Sequence, residues 1–316
     1  MSSRTRALLL AAAGLLAAVS VFVVVRSTGL AAPTPDPPGS FSFAVLGDAP
    51  YYSHEELQFR LLLKHIDAHD LSSVIHVGDI FWRPCSDAMY VKSRDYLESL
   101  RHPAIYTPGD NEWADCWEPR VGGYVPLERL ARLRQIFYQH PPKGIALTRQ
   151  PGYVENARWT DHGVVFATVH IIGSRNGRDP FPGRSAKDDL EVLQRTAAAA
   201  AWLRETFAAA AAAPAVIIAL HGRPPFVPIN LEYIKAYQPF LDTLAEESAR
   251  SKKPVLVVHG DEHEYQVDRP APRAPNLLRM EVPGSPQVGW VRVTVKPGAS
   301  APFSFQKHVV PAWKYW

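Results

Sequence analysis

The chain has 316 residues, of which 47% are hydrophobic and 21% are charged, so it can bury a substantial core in one large domain or two small ones. Its formal net charge of +3 is too small to indicate a nucleic-acid partner or a polybasic membrane surface.

The first 30 residues differ from the rest of the chain. Arg4 and Arg6 precede an uncharged, mostly apolar run over residues 7–25, and a Pro-rich stretch over residues 31–40 follows. This order is typical of an export signal, but a bilayer span takes roughly 17–25 residues, so a membrane anchor fits equally well. We expect an exported protein, either periplasmic or secreted after cleavage, or attached to the membrane through residues 7–25.

Strand and helix patterns alternate after the Pro-rich linker, and they predict one domain over residues 41–316. Apolar runs predict strands at residues 41–46, 74–77, 104–107, 163–172, 216–220, 255–258, 290–295 and 303–309. Helical patterns fall at residues 53–69, 87–100, 126–138, 187–213 and 232–250, the first opened by a capping-box pattern of Ser53 and Glu56. Such alternation predicts an α/β fold with largely parallel pairing, in which reactive groups collect at the carboxyl ends of the strands.

Acidic and histidine residues follow the predicted strands. Four strands end in Gly-Asp and a fifth ends in histidine; the residues are Asp48, Asp79, Asp110, Asp261, His221 and, two positions after Asp261, His263. A single Gly-Asp pair is as often a simple turn. Four such pairs would bring carboxylates together at one sheet edge, where they repel unless cations compensate. We therefore interpret these residues as a metal site.

The order of these motifs resembles the calcineurin-like metallophosphoesterases, which include purple acid phosphatases and sphingomyelinase-type enzymes. The family pattern is Asp-x-His, Gly-Asp, Gly-Asn-His-Asp/Glu, a lone His and Gly-His-x-His, and the resemblance covers about residues 41–310. It implies a four-layer α-β-β-α sandwich and two metals bridged by one aspartate. It also implies hydrolysis of a phosphate mono- or diester by a metal-bridging hydroxide.

The resemblance assigns the candidate ligands residue by residue. One metal would have Asp48, Asp79 and His263, and the other would have Asp79, Asp110, His221 and Asp261. Asp79 would bridge the two. Because this set is rich in carboxylate, we expect two divalent ions, Mn or Mg in the first place, with Zn or Fe as alternatives.

Asp110 takes the place of the family's metal-binding asparagine, and three positions where the family usually has histidine differ. Pro50 stands where Asp-x-His would supply a ligand, Asn111 replaces a usual histidine, and Asp261 replaces the first histidine of Gly-His-x-His. Trp82 occupies the position of the purple enzymes' tyrosine, so no iron–tyrosinate site is expected. Without the usual histidine, protonation of the leaving group would fall to a metal-bound water, Glu112, His259 or another group.

Candidate catalytic and substrate-binding residues follow from these assignments. The catalytic candidates are Asn111, Glu112 and His259, although a buried histidine such as His259 more often orients a ligand. The candidates for binding phosphoryl oxygens are Asn176, Arg178 and Arg223. Tyr51, Tyr52, Trp82 and Trp113 flank the metal loops and either wall a substrate pocket or simply pack.

The chain has two cysteines, Cys85 and Cys116, each just downstream of a candidate metal loop. An exported protein permits a disulfide between them, and two free buried thiols are the alternative.

The expected substrate is a phosphate-ester small molecule or a lipid-type ester. The motif departures leave a second hypothesis, a non-catalytic metal-binding or recognition module on the same fold. A third is an unrelated doubly wound domain in which the Gly-Asp pairs are only turns.

Overall fold

Two β-sheets form the centre of the molecule. The computed structural model describes residues 32–223, 225 and 231–311. The predicted signal peptide or anchor at residues 1–30 lies outside the described residues. Within the described part of the chain, no helix is long and apolar enough to cross a membrane.

The first sheet has the strand order β12-β11-β1-β2-β3. Strands β1, β2 and β3 run parallel, β11 pairs antiparallel with β1, and β12 pairs antiparallel with β11. The strand bounds are β1 Phe41–Leu46, β2 Val74–His76, β3 Ala104–Tyr106, β11 Gly289–Val295 and β12 Phe303–Val309.

The second sheet has the order β4-β5-β6-β7-β8-β10-β9, with parallel pairing from β6 through β7 and β8 to β10. The strand bounds are β4 Thr148–Gln150, β5 Tyr153–Asp161, β6 Val164–Thr168, β7 Val216–Ala219, β8 Val255–His259, β9 Gln266–Asp268 and β10 Leu277–Glu281. The parallel strands therefore occupy the middle of this sheet, and antiparallel strands close its edges.

Helices cover the outer face of each sheet. Their bounds are α1 Glu55–Ala68, α2 Asp87–Glu98, α3 Pro126–Phe137, α4 Ala186–Ala209 and α5 Leu231–Ser251. Apolar residues of α1, α2 and α3 pack against the first sheet, and those of α4 and α5 pack against the second. A third apolar cluster, which includes Phe43, Ile75, Phe166 and Val258, lies between the two sheets. The predicted four-layer α-β-β-α sandwich is thus confirmed.

The predicted strands and helices are recovered, with three differences. Strands β4, β5, β9 and β10 were not predicted, because their polar residues break the apolar pattern. The predicted strand over residues 163–172 ends early, at Thr168. The capping box was wrong, since helix α1 has His54 at its N-cap and no side chain hydrogen-bonds there.

The Pro-rich linker is docked on the first sheet over its described part. The Arg292 guanidinium is buried and donates to the Thr34 carbonyl oxygen at 2.7 Å and to Asp36 Oδ1 at 2.8 Å. The chain therefore meets the domain before β1 begins.

Cys85 and Cys116 form a disulfide, with their Cα atoms 5.7 Å apart. The bond joins the loop that follows β2 to the loop that follows β3. It therefore fixes two of the metal-motif loops to each other.

Removing the bridge should destabilise the protein. Replacing both Cys85 and Cys116 with serine should lower the free energy of unfolding by about 3–4 kcal/mol, because the unfolded chain regains the freedom of a 32-residue loop. Urea titration of the variant and of the oxidised protein measures the difference. The wild-type chain treated with a reductant is the matched control, and equal midpoints for all three samples would contradict the expectation.

Candidate active site

The metal motifs of both sheets meet at one end of the sandwich. Asp48, Asp79 and Asp110 follow the adjacent parallel strands β1, β2 and β3, and the register aligns Leu46 with His76 and His76 with Tyr106. The second sheet supplies the remaining residues, His221 after β7 and Asp261 and His263 after β8. Parallel pairing thus gathers the residues that are spread over more than 200 positions of sequence.

Left-handed backbone conformations concentrate at this site. The φ angles are 55° at Asp48, 53° at Asp79, 87° at Asp261 and 64° at His263. Few residues other than glycine adopt such angles, although aspartate tolerates them better than most. These angles turn the side chains inward after each strand ends, and backbone strain of this kind clusters at functional sites.

The glycines of the Gly-Asp pairs leave room for neighbouring carboxylates. A Cβ atom on Gly109 would lie 2.0 Å from Asp79 Oδ1, and one on Gly260 would lie 2.2 Å from Asp48 Oδ2. No real Cβ makes contacts that short. The motif therefore reflects close packing of the loops as well as turn formation.

His221 lies at the centre of the carboxylates. Its Nδ1 donates to the carbonyl oxygen of Val77 at 2.9 Å, so Nε2 is the atom that faces the acids. The distance from Nε2 is 2.9 Å to Asp110 Oδ1, 3.5 Å to Asp79 Oδ1 and 3.7 Å to Asp261 Oδ1. The neutral ring would thus point a lone pair at three carboxylates, an arrangement that a cation stabilises.

Several of these buried atoms have no hydrogen-bond partner of good geometry. They are Asp48 Oδ2, Asp110 Oδ1 and His221 Nε2. Among the described residues, two sets of ligand atoms lie within 4.8 Å of one another: Asp48, Asp79 and His221, and Asp110, His221 and Asp261. Orphaned oxygen and imidazole atoms this close together fit divalent cations.

His263 is placed to complete the first set. Its Nδ1 donates to the Ser285 carbonyl oxygen at 2.7 Å, which leaves Nε2 directed at the site, 3.7 Å from Asp48 Oδ1. All six predicted ligands therefore come together. His221 belongs to both sets by distance, whereas the sequence assigned it to only one metal.

Burial and mutual repulsion shift the titration of these groups. Burial raises the pKa of Asp48 to about 8, and burial with the nearby charge of Asp110 raises the pKa of Asp261 to about 6. Burial also raises the pKa of Asp79 well above its usual range. Burial alone would lower the pKa of His221, but the Asp79 and Asp110 carboxylates raise it well above its ordinary value. Without metal, these aspartates and His221 therefore favour their protonated forms.

Glu112 holds three backbone amides together. Its Oε2 accepts from the N–H groups of Gly109 at 2.8 Å and Asp79 at 3.1 Å, and its Oε1 accepts from the N–H of Ile80 at 2.6 Å. Both oxygens are thus engaged in fixing the loops after β2 and β3. This placement favours a positioning role over the acid role expected from the sequence.

Glu55 plays the same part on the other side of the site. This fully buried carboxylate accepts from the N–H of Tyr51 at 2.8 Å and from the Ser285 hydroxyl at 2.7 Å. Ser285 in turn holds His263 through its carbonyl oxygen and donates its own N–H to the Asp48 carbonyl oxygen at 2.8 Å. Sequence reasoning missed Glu55 and Ser285, because no motif marks them.

An open cleft of about 600 Å³ lies over the site. It is lined by Tyr51, Tyr52, Asp79, Trp82, Asp110, Asn111, Asp261, His263, Ser285 and Pro286. Of the four flanking aromatic residues, Trp113 is the exception, because it is buried with its ring 5.7 Å from that of His170.

Tyr51 was expected only as a pocket wall, but it reaches the metal ligands. Its hydroxyl donates to Asp79 Oδ2 at 2.8 Å and lies 3.2 Å from His263 Nε2. The sequence signal was its place three residues after Asp48.

Of the other predicted catalytic residues, Asn111 lies at the cleft and His259 lies in the protein interior. Asn111 lines the cleft, and its backbone N–H donates to Asp79 Oδ1 at 3.1 Å. His259 is fully buried, with Nδ1 on the Gly260 carbonyl oxygen, and burial lowers its pKa to about 3. That histidine is neutral and away from the cleft lining, which favours the structural alternative for it.

The predicted phosphoryl-binding residues do not line the cleft. The amide of Asn176 is buried against Thr196 and the Ala236 carbonyl oxygen. Arg178 is half-buried beside the left-handed turn of residues 173–177, and its N–H donates to the Arg175 carbonyl oxygen. Arg223 donates its backbone N–H to Asp261 Oδ2 at 2.8 Å, so its main chain fixes a candidate ligand, and its guanidinium lies 3.4 Å from Gln266 Oε1.

Residues 41–265 match the family model described as calcineurin-like phosphoesterase. The chain belongs to the calcineurin-like phosphoesterase family. This family consists of hydrolases that act on phosphate esters, and membership implies divalent metal ions at the site where the acidic and histidine loops converge. A comparison with curated proteins found no match.

Solved structures similar to this member of the calcineurin-like phosphoesterase family include three bacterial proteins. A candidate 5′-nucleotidase from Staphylococcus aureus, solved with alpha-ketoglutarate, is 14% identical with a TM-score of 0.43, over 88% of this chain and 55% of its own. A protein from Thermus thermophilus is 12% identical (TM-score 0.44, 86% of this chain and 99% of its own). A phosphatase from Mycoplasma pneumoniae is 12% identical (TM-score 0.38, 85% and 94%). The chain thus spans just over half the length of the Staphylococcus protein.

Replacing Glu112 with glutamine should destabilise the protein even without metal. The amide NH₂ would face backbone N–H donors, so at least one buried hydrogen bond is lost, at a cost of about 1–3 kcal/mol. Chemical denaturation in the presence of a chelator measures this change. Glu262→Gln is the control, because its side chain is half exposed beside the same site. A Glu112→Gln protein of unchanged stability that still loses activity would support the acid role instead.

The metal-free protein should lose stability as pH rises from about 7 to 8. Below about pH 6.5 the buried neutral histidines His76 and His259 have the opposite effect, because they take up protons only on unfolding. Above that range Asp48, whose pKa is raised to about 8, retains in the folded protein a proton that the unfolded chain, with a value near 3.9, has released. Each such proton changes the free energy of unfolding by about 1.4 kcal/mol per pH unit. Thermal unfolding with a chelator tests this, and added Mn²⁺ should flatten the slope. A metal-free stability that increases across this window would contradict the account.

Proposed function

We propose that this protein is an exported, metal-dependent phosphoesterase that hydrolyses a phosphate mono- or diester. The observation that carries the proposal is the convergence of four carboxylates and two imidazoles, several with orphaned atoms, beneath an open cleft. When two divalent ions are bound at such a site, they supply Lewis acidity and lower the pKa of water.

Asp79 is suited to bridge two ions. Its Oδ1 lies 3.5 Å from His221 Nε2, whereas its Oδ2 accepts from the Tyr51 hydroxyl on the other side. One carboxylate thus faces both ligand sets. Asp48 with His263 would hold one ion, and Asp110 with Asp261 would hold the other. Carboxylate-rich sets favour Mn or Mg.

The residues that line the cleft suit the binding of a phosphate ester. Asn111 offers a side-chain amide beside Asp79, which can donate to a phosphoryl oxygen. Tyr52 and Trp82 form an aromatic wall with ring centroids 5.6 Å apart, which suits an apolar or aromatic leaving group. This wall supports a small-molecule or lipid-type ester over a nucleic-acid chain, in line with the small net charge of +3.

The disulfide supports the proposed export. Disulfides persist in oxidising compartments and are rare in the cytosol. The Cys85–Cys116 bridge therefore agrees with a periplasmic, secreted or membrane-anchored protein.

A second candidate function is a metal-binding or recognition module without turnover. It is favoured by the placement of Glu112 and His259, since both expected proton donors lie outside the cleft lining. This candidate requires metal retention without hydrolysis, which the assay below distinguishes from catalysis.

Asp79→Asn should abolish hydrolysis of a chromogenic phosphate ester. Loss of the bridging carboxylate should cost more than the roughly 10–100-fold typical of residues that only orient a ligand. Initial rates would be measured with a monoester and a diester after loading with Mg, Mn, Zn or Fe, with metal content determined on the same preparation. Glu262→Gln, which changes an exposed acid nearby, should leave the rate unchanged.

Two results would overturn the proposal of catalysis. Wild-type protein that retains metal but hydrolyses neither ester with any of the four metals would favour the recognition module. Protein that binds no metal would contradict both candidates.

A further inference from the structure

The second position after Asp48, where the family pattern has a histidine, is Pro50, which has no side-chain donor atom. The next residue, Tyr51, places its phenol oxygen 2.8 Å from Asp79 Oδ2 and 3.2 Å from His263 Nε2. Although Pro50 supplies no ligand atom, the phenol oxygen of Tyr51 therefore lies next to two candidate metal ligands.

These distances are those between neighbouring ligands of one ion. Metal–ligand bonds of about 2.0–2.2 Å that meet near a right angle put the two donor atoms roughly 3 Å apart. Tyr51 Oη has this spacing to Asp79 Oδ2 and to His263 Nε2, and Asp48 Oδ1 lies 3.7 Å from the same His263 nitrogen.

Tyr51 is held in this place by its backbone and by its ring. Its N–H donates to the buried Glu55 carboxylate at 2.8 Å, and its ring packs edge-on against His263 with centroids 5.2 Å apart. Glu55 also holds Ser285, which fixes His263. The phenol and the imidazole are thus positioned by one network, as two ligands of the same ion would be.

We propose that the phenol oxygen of Tyr51 is a metal ligand, which takes the place of the missing histidine beside Asp48, Asp79 and His263. On binding, the hydroxyl proton passes to solvent and the oxygen bonds the ion as a phenolate. A set of one phenolate, two carboxylates and one imidazole suits a hard cation, and Fe³⁺ is the probe that makes a bound phenolate visible. This proposal departs from the expectation of no iron–tyrosinate site, which rested on Trp82. The inference rests on the metal site of the proposed function but not on its turnover.

A visible absorption band gives a test that needs no substrate. The metal-free full-length protein would be loaded with Fe³⁺, its iron content measured, and its visible absorption and resonance Raman spectra recorded. Wild type and Tyr52→Phe should show a tyrosinate-to-iron charge-transfer band with tyrosinate vibrations. Tyr51→Phe should lose both, and Tyr51→His should keep iron without the band. Tyr52 is the matched control because it is the adjacent tyrosine and lines the same cleft.

Zinc provides a second measurement that does not depend on iron uptake. Zn²⁺ titration should produce a phenolate difference spectrum in the ultraviolet in wild type and Tyr52→Phe but not in Tyr51→Phe. Loss of this ligand should weaken zinc binding by at least about tenfold.

Three results would overturn the inference. They are iron-loaded wild type without the band, Tyr51→Phe with the band retained, and Tyr51→Phe that binds zinc more tightly, which would mean that the hydroxyl only competes with the ion. Failure of the proposed function gives a different result. If iron-loaded protein shows the charge-transfer band but no metal-loaded form hydrolyses esters, only the proposal of turnover is refuted. If the protein hydrolyses esters but its iron-loaded form lacks the band, only the Tyr51 ligand is refuted.

Discussion

Electrostatic repulsion among buried carboxylates is the constraint on which the rest of this structure depends. Asp48, Asp79, Asp110 and Asp261 converge on His221, and one imidazole cannot neutralise four acids. Burial makes the repulsion stronger, because the charges are no longer screened by water. Protons or cations must therefore enter with them, and the raised pKa values describe the first of these alternatives.

Such a cluster persists only if the chain forces it together. The parallel strands bring the loops to one end, and the glycines before Asp110 and Asp261 let them approach within contact distance. Two buried glutamates then bind the loops through backbone amides and a hydroxyl, Glu112 on one side and Glu55 on the other. The buried charged site therefore lowers the stability of the fold, and the hydrogen bonds accepted by Glu55 and Glu112 offset part of that loss.

The alternation of strands and helices and the convergence of the ligands could be predicted from local signals, whereas the four-layer arrangement was implied by the family resemblance. Apolar runs mark strands such as β1, and a Gly-Asp pair marks the end at which an aspartate leaves the sheet. Strand β5, which pairs with both β4 and β6, was missed because its polar residues break the apolar pattern. The roles of Glu112 and Asn176 could not be predicted from the sequence, because each depends on the backbone atoms that other parts of the chain bring close to it.

The central claim is that the converging carboxylates hold two metal ions, and anomalous diffraction tests it most directly. Crystals of the protein loaded with Mn²⁺ would be measured above and below the manganese absorption edge. The account predicts two anomalous peaks roughly 3.5–4 Å apart, with Asp79 between them. An absence of peaks at Asp79 in manganese-loaded crystals, or a single ion bound elsewhere in the molecule, would contradict it.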